Sequence, residues 1–284
     1  MTDTVSQMTK ELADTYDIKL VPLTIIIDGK QYLETEIDLQ WYYRQIPKWK
    51  EGGDVPTSSS ASIGYFAQTF RELSQRAESI LYLCYSSKFG MMFNTAIQAR
   101  KKVKEQLPQT AIAVIDTRTV CGAQMLIAIE AARAAADGKS LAEVSEMTNN
   151  LVSRVSMISL IDDLSLLAKG GRIHKALRWA GSKVTNTALL EVAASTEGQM
   201  TPLVRCKTRE QALKKLFETV SERSNGRRLN VAINHTDALT EAEELRALAL
   251  SRFPCVECFI TPVYPTVTHH DGLGVIKFSW WAAD

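Results

Sequence analysis

Apolar residues in this chain gather into short runs that alternate with stretches of helical spacing. Ser79-Ile80-Leu81-Tyr82-Leu83-Cys84-Tyr85 is the clearest run: too short for a typical helix, it reads as a buried strand. Phe93, Ile97 and Val103 give the segment after it a partial helical spacing, and Ala111 to Asp116 is again a short apolar strand. Helices are predicted over Gly64 to Glu78, Asn94 to Gln106 and Met125 to Ala136, and strands alternating with helices imply a parallel sheet.

Before this core, Thr2-Asp3-Thr4 reads as the end of a strand and Thr9 as the cap of a short helix. Lys19 to Ile27, the turn Asp28-Gly29 and Gln31-Tyr32-Leu33 predict a hairpin, with Pro22 placing it at a sheet edge. Asp38 is expected to cap a helix carrying Trp41, Tyr42 and Ile46 that stops before Pro47, and a loop then delivers Thr57 to Ser62. Ser140 to Glu143 is a capping box.

Farther on, strands are predicted at Val155 to Leu160, Leu229 to Asn234 and Val256 to Ile260. A strand from Gly274 to Trp281 is expected to close the sheet. Leu189 to Val192 and Met200 to Val204 flank Glu197-Gly198 as a hairpin, and Thr208 to Arg223 and Thr240 to Ser251 read as helices. Asp163 to Ala168 reads as a helix broken by Gly170-Gly171. The pattern and the length of 284 residues predict two α/β domains, 1–152 and 153–284.

Composition narrows the classes. A net charge of +1 gives no bulk reason to bind nucleic acid, and no apolar run approaches the roughly 20 residues needed to span a bilayer. The start Met1-Thr2-Asp3-Thr4 lacks the apolar core of a signal peptide, so a cytoplasmic location is expected. The five cysteines are odd in number and scattered, which favours reduced thiols over a disulfide framework.

Several stretches could carry chemistry. The turn after Tyr85, Ser86-Ser87-Lys88-Phe89-Gly90-Met91-Met92, should lie at the carboxyl edge of a sheet, where helix N-terminal N–H groups and hydroxyls can hold a carboxylate or phosphate. Thr57-Ser58-Ser59-Ser60 offers more hydroxyls, although such a run alone is more often a solvated loop. In Pro265 to Gly274, His270 can donate to an anion while Gly272 and Gly274 allow close backbone approach. Arg172, in Lys169-Gly170-Gly171-Arg172, can make a bidentate contact with a carboxylate or phosphate, and Lys207 follows a strand at the expected domain interface. Cys255 and Cys258 match a CxxC, but they fall on a predicted strand with nothing to complete a metal site. Walker and GxGxxG motifs are missing, so neither a bound nucleotide nor another cofactor is expected, and the missing GxSxG counts against a serine hydrolase.

Together, Thr2-Asp3-Thr4, Val21-Pro22-Leu23-Thr24-Ile25, Thr57-Ser58, Ser86-Ser87, Ile115-Asp116-Thr117, Lys169 to Ile173 and His270 to Gly274 resemble the DegV family of bacterial lipid-binding proteins over nearly the whole chain. The resemblance implies a ligand cleft between the two α/β domains, holding one long-chain fatty acid and no cofactor or metal. It also implies that the chain has no catalysis of its own and presents the carboxylate to a separate ATP-binding fatty acid kinase subunit. Peripheral membrane contact stays open. By position, Thr57 and Ser58 match the family's carboxylate-binding hydroxyls, Ser86, Ser87, Gly90 and Met91 its turn, His270 its glycine-motif histidine and Arg172 a basic residue near the head group. Two departures stand out. Gly90 and Met92 replace a serine and a threonine of the family's turn, and the residues that open the family's first strand are missing ahead of Thr2. The first departure raises an alternative, a diverged member that binds another lipid or a small anion. A second alternative is a cleft enzyme with His270 as acid or base and Asp271 or Asp3 nearby.

Overall fold

A computed structural model of the chain describes residues 1–52, 55–171 and 187–283. Strands β1 (Thr2–Asp3), β2 (Leu20–Val21), β6 (Ser79–Cys84) and β7 (Ala111–Asp116) form a four-stranded sheet in the order β2-β1-β6-β7. All its pairings are parallel, as the strand–helix alternation predicts. Its first half also contains helices α1 (Lys10–Thr15), α2 (Leu39–Gly52), α3 (Ile63–Ser74), α4 (Met92–Val103), α5 (Cys121–Ala136) and α6 (Leu141–Val152). Thr9 caps α1, accepting from the N–H of Leu12, and Ser140 and Glu143 form the capping box of α6.

Six further strands build a mixed sheet, β10-β9-β8-β13-β11-β12. They are β8 (Ser156–Ile161), β9 (Thr187–Ala193), β10 (Thr201–Cys206), β11 (Leu229–His235), β12 (Cys255–Pro262) and β13 (Ile276–Ala282). Helices α7 (Ser165–Lys169), α8 (Arg209–Ser224), α9 (Leu239–Arg252) and α10 (Pro265–Asp271) accompany them. Rather than closing the sheet, β13 lies inside it, antiparallel to both β8 and β11. Its residues from Ile276 to Trp280 are buried, which suits a strand covered on both faces.

A three-stranded antiparallel sheet, β4-β3-β5, is made by β3 (Thr24–Ile27), β4 (Lys30–Leu33) and β5 (Thr57–Ser59). The Asp28-Gly29 turn joins β3 and β4, with both residues at positive φ as a tight hairpin turn requires. Thr57 to Ser59 are therefore strand, not loop: pairing with β3 satisfies their backbone groups and makes β3 central, while Pro22 falls between β2 and β3. Helix α2 does not stop before Pro47 but runs through it, and Tyr42, Tyr43 and Ile46 pack with Ile25 and Ile27 in a common apolar cluster. That packing offsets the few kcal/mol a mid-helix proline costs.

Helix α5 sets the architecture. It is buried on every side from Cys121 to Ile129, and it lies against β6 of the parallel sheet and against β8, β11 and β13 of the mixed one. One apolar cluster therefore spans both halves, from Phe66 and Tyr82 to Met157, Val192 and Ala232. A second core fills the far face of the mixed sheet beneath α8 and α9, around Leu216, Phe217 and Phe278.

Candidate functional site

The carboxyl edge of β6 runs into a turn that is pinned from several sides. Tyr85 N–H donates to Asp3 Oδ2 at 3.2 Å, Ser86 N–H to the Thr119 carbonyl at 2.8 Å and Ser87 N–H to Asp116 Oδ2 at 3.3 Å. Asp3 is fully buried and also accepts from Tyr82 Oη at 2.9 Å, Gln124 Nε2 at 3.1 Å and Val5 N–H at 3.2 Å. Burial pushes its carboxyl up to about 7 against the pull of those donors. The Asp3 carboxylate is thus the buried anchor that ties the turn to the end of β1.

Ser86 is fully buried, and its hydroxyl donates to the Gly198 carbonyl at 2.7 Å, tying the turn to the β9–β10 hairpin. Gly198 has φ +72°, and a Cβ there would run into Ser86 Oγ, so only glycine fits. Ser87 is half-buried, and Met91 is 58% exposed. Gly90 lies directly under the hydroxyl of Tyr85, which takes up the space a side chain at position 90 would fill.

A cavity of about 70 Å³ has Ser58, Tyr85, Phe89, Met200 and His270 in its wall. Ser58 reaches it from β5, Tyr85 from the end of β6 and His270 from α10. Thr57, one residue earlier on the strand, is exposed on the opposite face of β5, because strand side chains alternate. The His270 ring packs on Gly170 just past the end of α7, where a Cβ would collide with Nδ1, and it lies 3.7 Å from the His269 ring, centroid to centroid. The glycine of the Lys169-Gly170-Gly171-Arg172 stretch thus lets α7 approach the histidine. Arg172 itself lies outside the described residues.

Cys121 opens α5 at the cavity wall with φ +54°, a conformation rare for a side-chain-bearing residue, and burial pushes its thiol up to about 12. Cys255 and Cys258 are both free thiols on β12, and burial drives Cys258 up to about 12, which suits an inert thiol and not a redox pair. Among the described residues no group of three or more His, Cys, Asp or Glu side chains could hold a metal ion, and no helix is long and apolar enough to cross a membrane.

Of the residues the sequence singled out, the structure brings Ser58 and His270 together and sets Thr57 and Met91 apart from them. It adds Tyr85, which the sequence presents only as the last residue of an apolar strand. It also adds Glu34, 1% exposed, whose carboxylate accepts from the hydroxyls of Thr4 and Thr266 and, at 3.1 Å, from Thr266 N–H. Glu34 therefore fixes the start of α10, the helix that carries His270. No local pattern marks it, since its partners lie at both ends of the chain.

The chain has known relatives. A family model described as "uncharacterised protein, DegV family" matches residues 1–282. A DegV domain-containing protein of Streptococcus pyogenes serotype M1 is 29% identical over 272 residues, covering 96% of this chain and 93% of its own length. A DegV family protein from Thermus thermophilus, described for its fatty acid binding, superposes with a TM-score of 0.91 at 22% identity over 99% of this chain and 98% of its own. A stearic acid-binding protein from Eubacterium ventriosum superposes with a TM-score of 0.87 at 19% identity, over 99% and 97% of the two chains. With a family match that runs almost from end to end and a fold shared at that level, the chain belongs to the DegV family.

Proposed function

We propose that this protein binds a fatty acid by its carboxylate in the cleft between residues 1–152 and 153–284 and performs no chemistry on it alone. The observation that carries this reading is the convergence of Ser58, Tyr85 and His270, from three separate elements, on one mainly apolar cavity. A desolvated carboxylate needs several donors, and two hydroxyls and an imidazole supply them. Fatty acid binding by the Thermus thermophilus and Eubacterium ventriosum proteins, which share this fold, supports the same ligand class.

The cavity of about 70 Å³ is well below the roughly 300–1,000 Å³ of ordinary ligand pockets. An acyl tail therefore enters as Phe89, Leu167 and Met200 swing aside, at a cost offset by about 0.8 kcal/mol for each methylene buried. Ser87, half-buried in the turn after β6, completes the proposed head-group region at its solvent side. From there the carboxylate would be presented to a separate ATP-binding kinase subunit. Catalysis by His270 with a carboxylate partner gains no support from the geometry: Asp271 pairs with Lys277, and Asp3 is enclosed by its own donors.

Native mass spectrometry of the purified protein tests the reading. A bound species with the mass of a fatty acid, exchangeable with added stearate, is the expected result. Folded protein that neither carries nor takes up a fatty acid would refute it.

A further inference from the structure

A charged pair lies in the wall of the same cavity. Lys277 on β13 is 1% exposed and Asp271, the last residue of α10, is 3% exposed, with Lys277 Nζ 2.7 Å from Asp271 Oδ2. Lys277 belongs to a polar row across the otherwise apolar mixed sheet: it is in register with Ser159 of β8 on one side and with Asn234 of β11 on the other, and Asn234 is in register with Thr261 of β12. All four residues are buried.

One end of this row is complete. Asn234 Oδ1 accepts from Gly122 N–H at the start of α5, and its Nδ2 donates to Thr261 Oγ1, both at 2.8 Å. The end at the cavity is not. Lys277 Nζ donates to Ser159 Oγ at 3.3 Å, and its 2.7 Å ion pair is the one donor contact of Asp271 Oδ2 among the described residues, which leaves that oxygen room to accept once more.

A methylene chain laid against this pair would add no hydrogen bond to it and would leave its buried charges short of partners. A second carboxylate would be repelled by Asp271. A hydroxyl fits both partners, donating to the Asp271 oxygen and accepting from the Lys277 ammonium. Because His270 and Asp271 are consecutive and line the same small cavity, such a hydroxyl must lie only a few bonds from the carboxylate.

We infer that the preferred ligand is a fatty acid hydroxylated near its carboxyl end, read by Asp271 and Lys277. This rests on the fatty acid reading above and narrows it to a class. No bond is made or broken.

Calorimetric titration of the delipidated protein with palmitate, 3-hydroxypalmitate and 16-hydroxypalmitate tests it. The expected result is tighter binding of the 3-hydroxy acid than of palmitate by about tenfold or more, since hydrogen bonds to charged groups are the stronger kind. Asp271→Leu/Lys277→Met removes both charges together and should abolish that preference while strengthening palmitate binding. If the double variant does not fold, Asp271→Asn supplies the comparison, with the preference reduced. Equal or weaker binding of 3-hydroxypalmitate by the wild type overturns the inference, as does preference for the 16-hydroxy acid. Binding of none of the three by folded protein removes the fatty acid reading itself.

Discussion

The hydroxyl of Tyr85 stands over the α-carbon of Gly90 so closely that even a Cβ at position 90 would overlap it. The turn, glycine where the resemblance leads one to expect a serine, thus has a phenol over that position, delivered from the strand side.

Restoring a serine should therefore harm the protein. Gly90→Ser forces Tyr85 out of its position, an overpacking that costs about 1–3 kcal/mol and lowers the thermal midpoint by several degrees. Tyr85→Phe keeps the ring and should weaken fatty acid affinity by about tenfold with a smaller effect on the midpoint. A Gly90→Ser protein of unchanged stability and improved affinity would contradict this arrangement.

The alternation of β5 separates two neighbouring hydroxyls. Ser58→Ala and His270→Ala should each weaken binding of stearate by about tenfold, whereas Thr57→Ala, on the exposed face, should change it by no more than about twofold. Fluorescence displacement of a bound acyl probe gives the ranking, and an equal effect of Thr57→Ala would place that residue at the head group after all.

Asp3 makes stability depend on pH. Its carboxyl sits near 7 in the fold against an ordinary value of 3.8, so between those values the native state holds a proton that the unfolded state has lost. The resulting stabilisation is complete below about 4 and is lost as pH rises through about 7. Asp3→Asn should remove this downward slope, whatever it does to absolute stability. Urea midpoints measured from pH 4 to 8 on both proteins decide the matter, and parallel curves would show that Asp3 does not titrate in this range.

Glu34 joins the β3–β4 hairpin to the helix of His270. Glu34→Ala leaves the hydroxyls of Thr4 and Thr266 and the Thr266 N–H without their acceptor, a loss of about 2–4 kcal/mol in unfolding free energy. Fatty acid affinity should fall with it, because α10 loses its anchor. Chemical denaturation reads the first effect and acyl-probe binding the second.

Much of the fold is legible along the chain because it is encoded in neighbours. The Asp28-Gly29 turn, the Thr9 and Ser140 caps and the Glu197-Gly198 hairpin each depend on a few consecutive residues, and the structure holds them where the pattern puts them. The misplacements share one cause. Pro47 ends no helix because packing on Ile25 and Ile27 outweighs a local preference, and Thr57 to Ser59 become a strand because β3, far back in the chain, supplies the partner.

The sequence by itself determined that short buried strands alternate with helices, and that hydroxyl, histidine and glycine stretches are candidates for holding an anion. Only the tertiary structure decided which of these meet: that Ser58 and not Thr57 faces the cavity, that Tyr85 fills the room left by Gly90, and that Lys277 is buried against Asp271. The physical reason is one of range. Caps, turns and periodicities are satisfied within a few residues, whereas a binding cavity is lined by side chains from distant segments, and the packing around α5 sets where they converge.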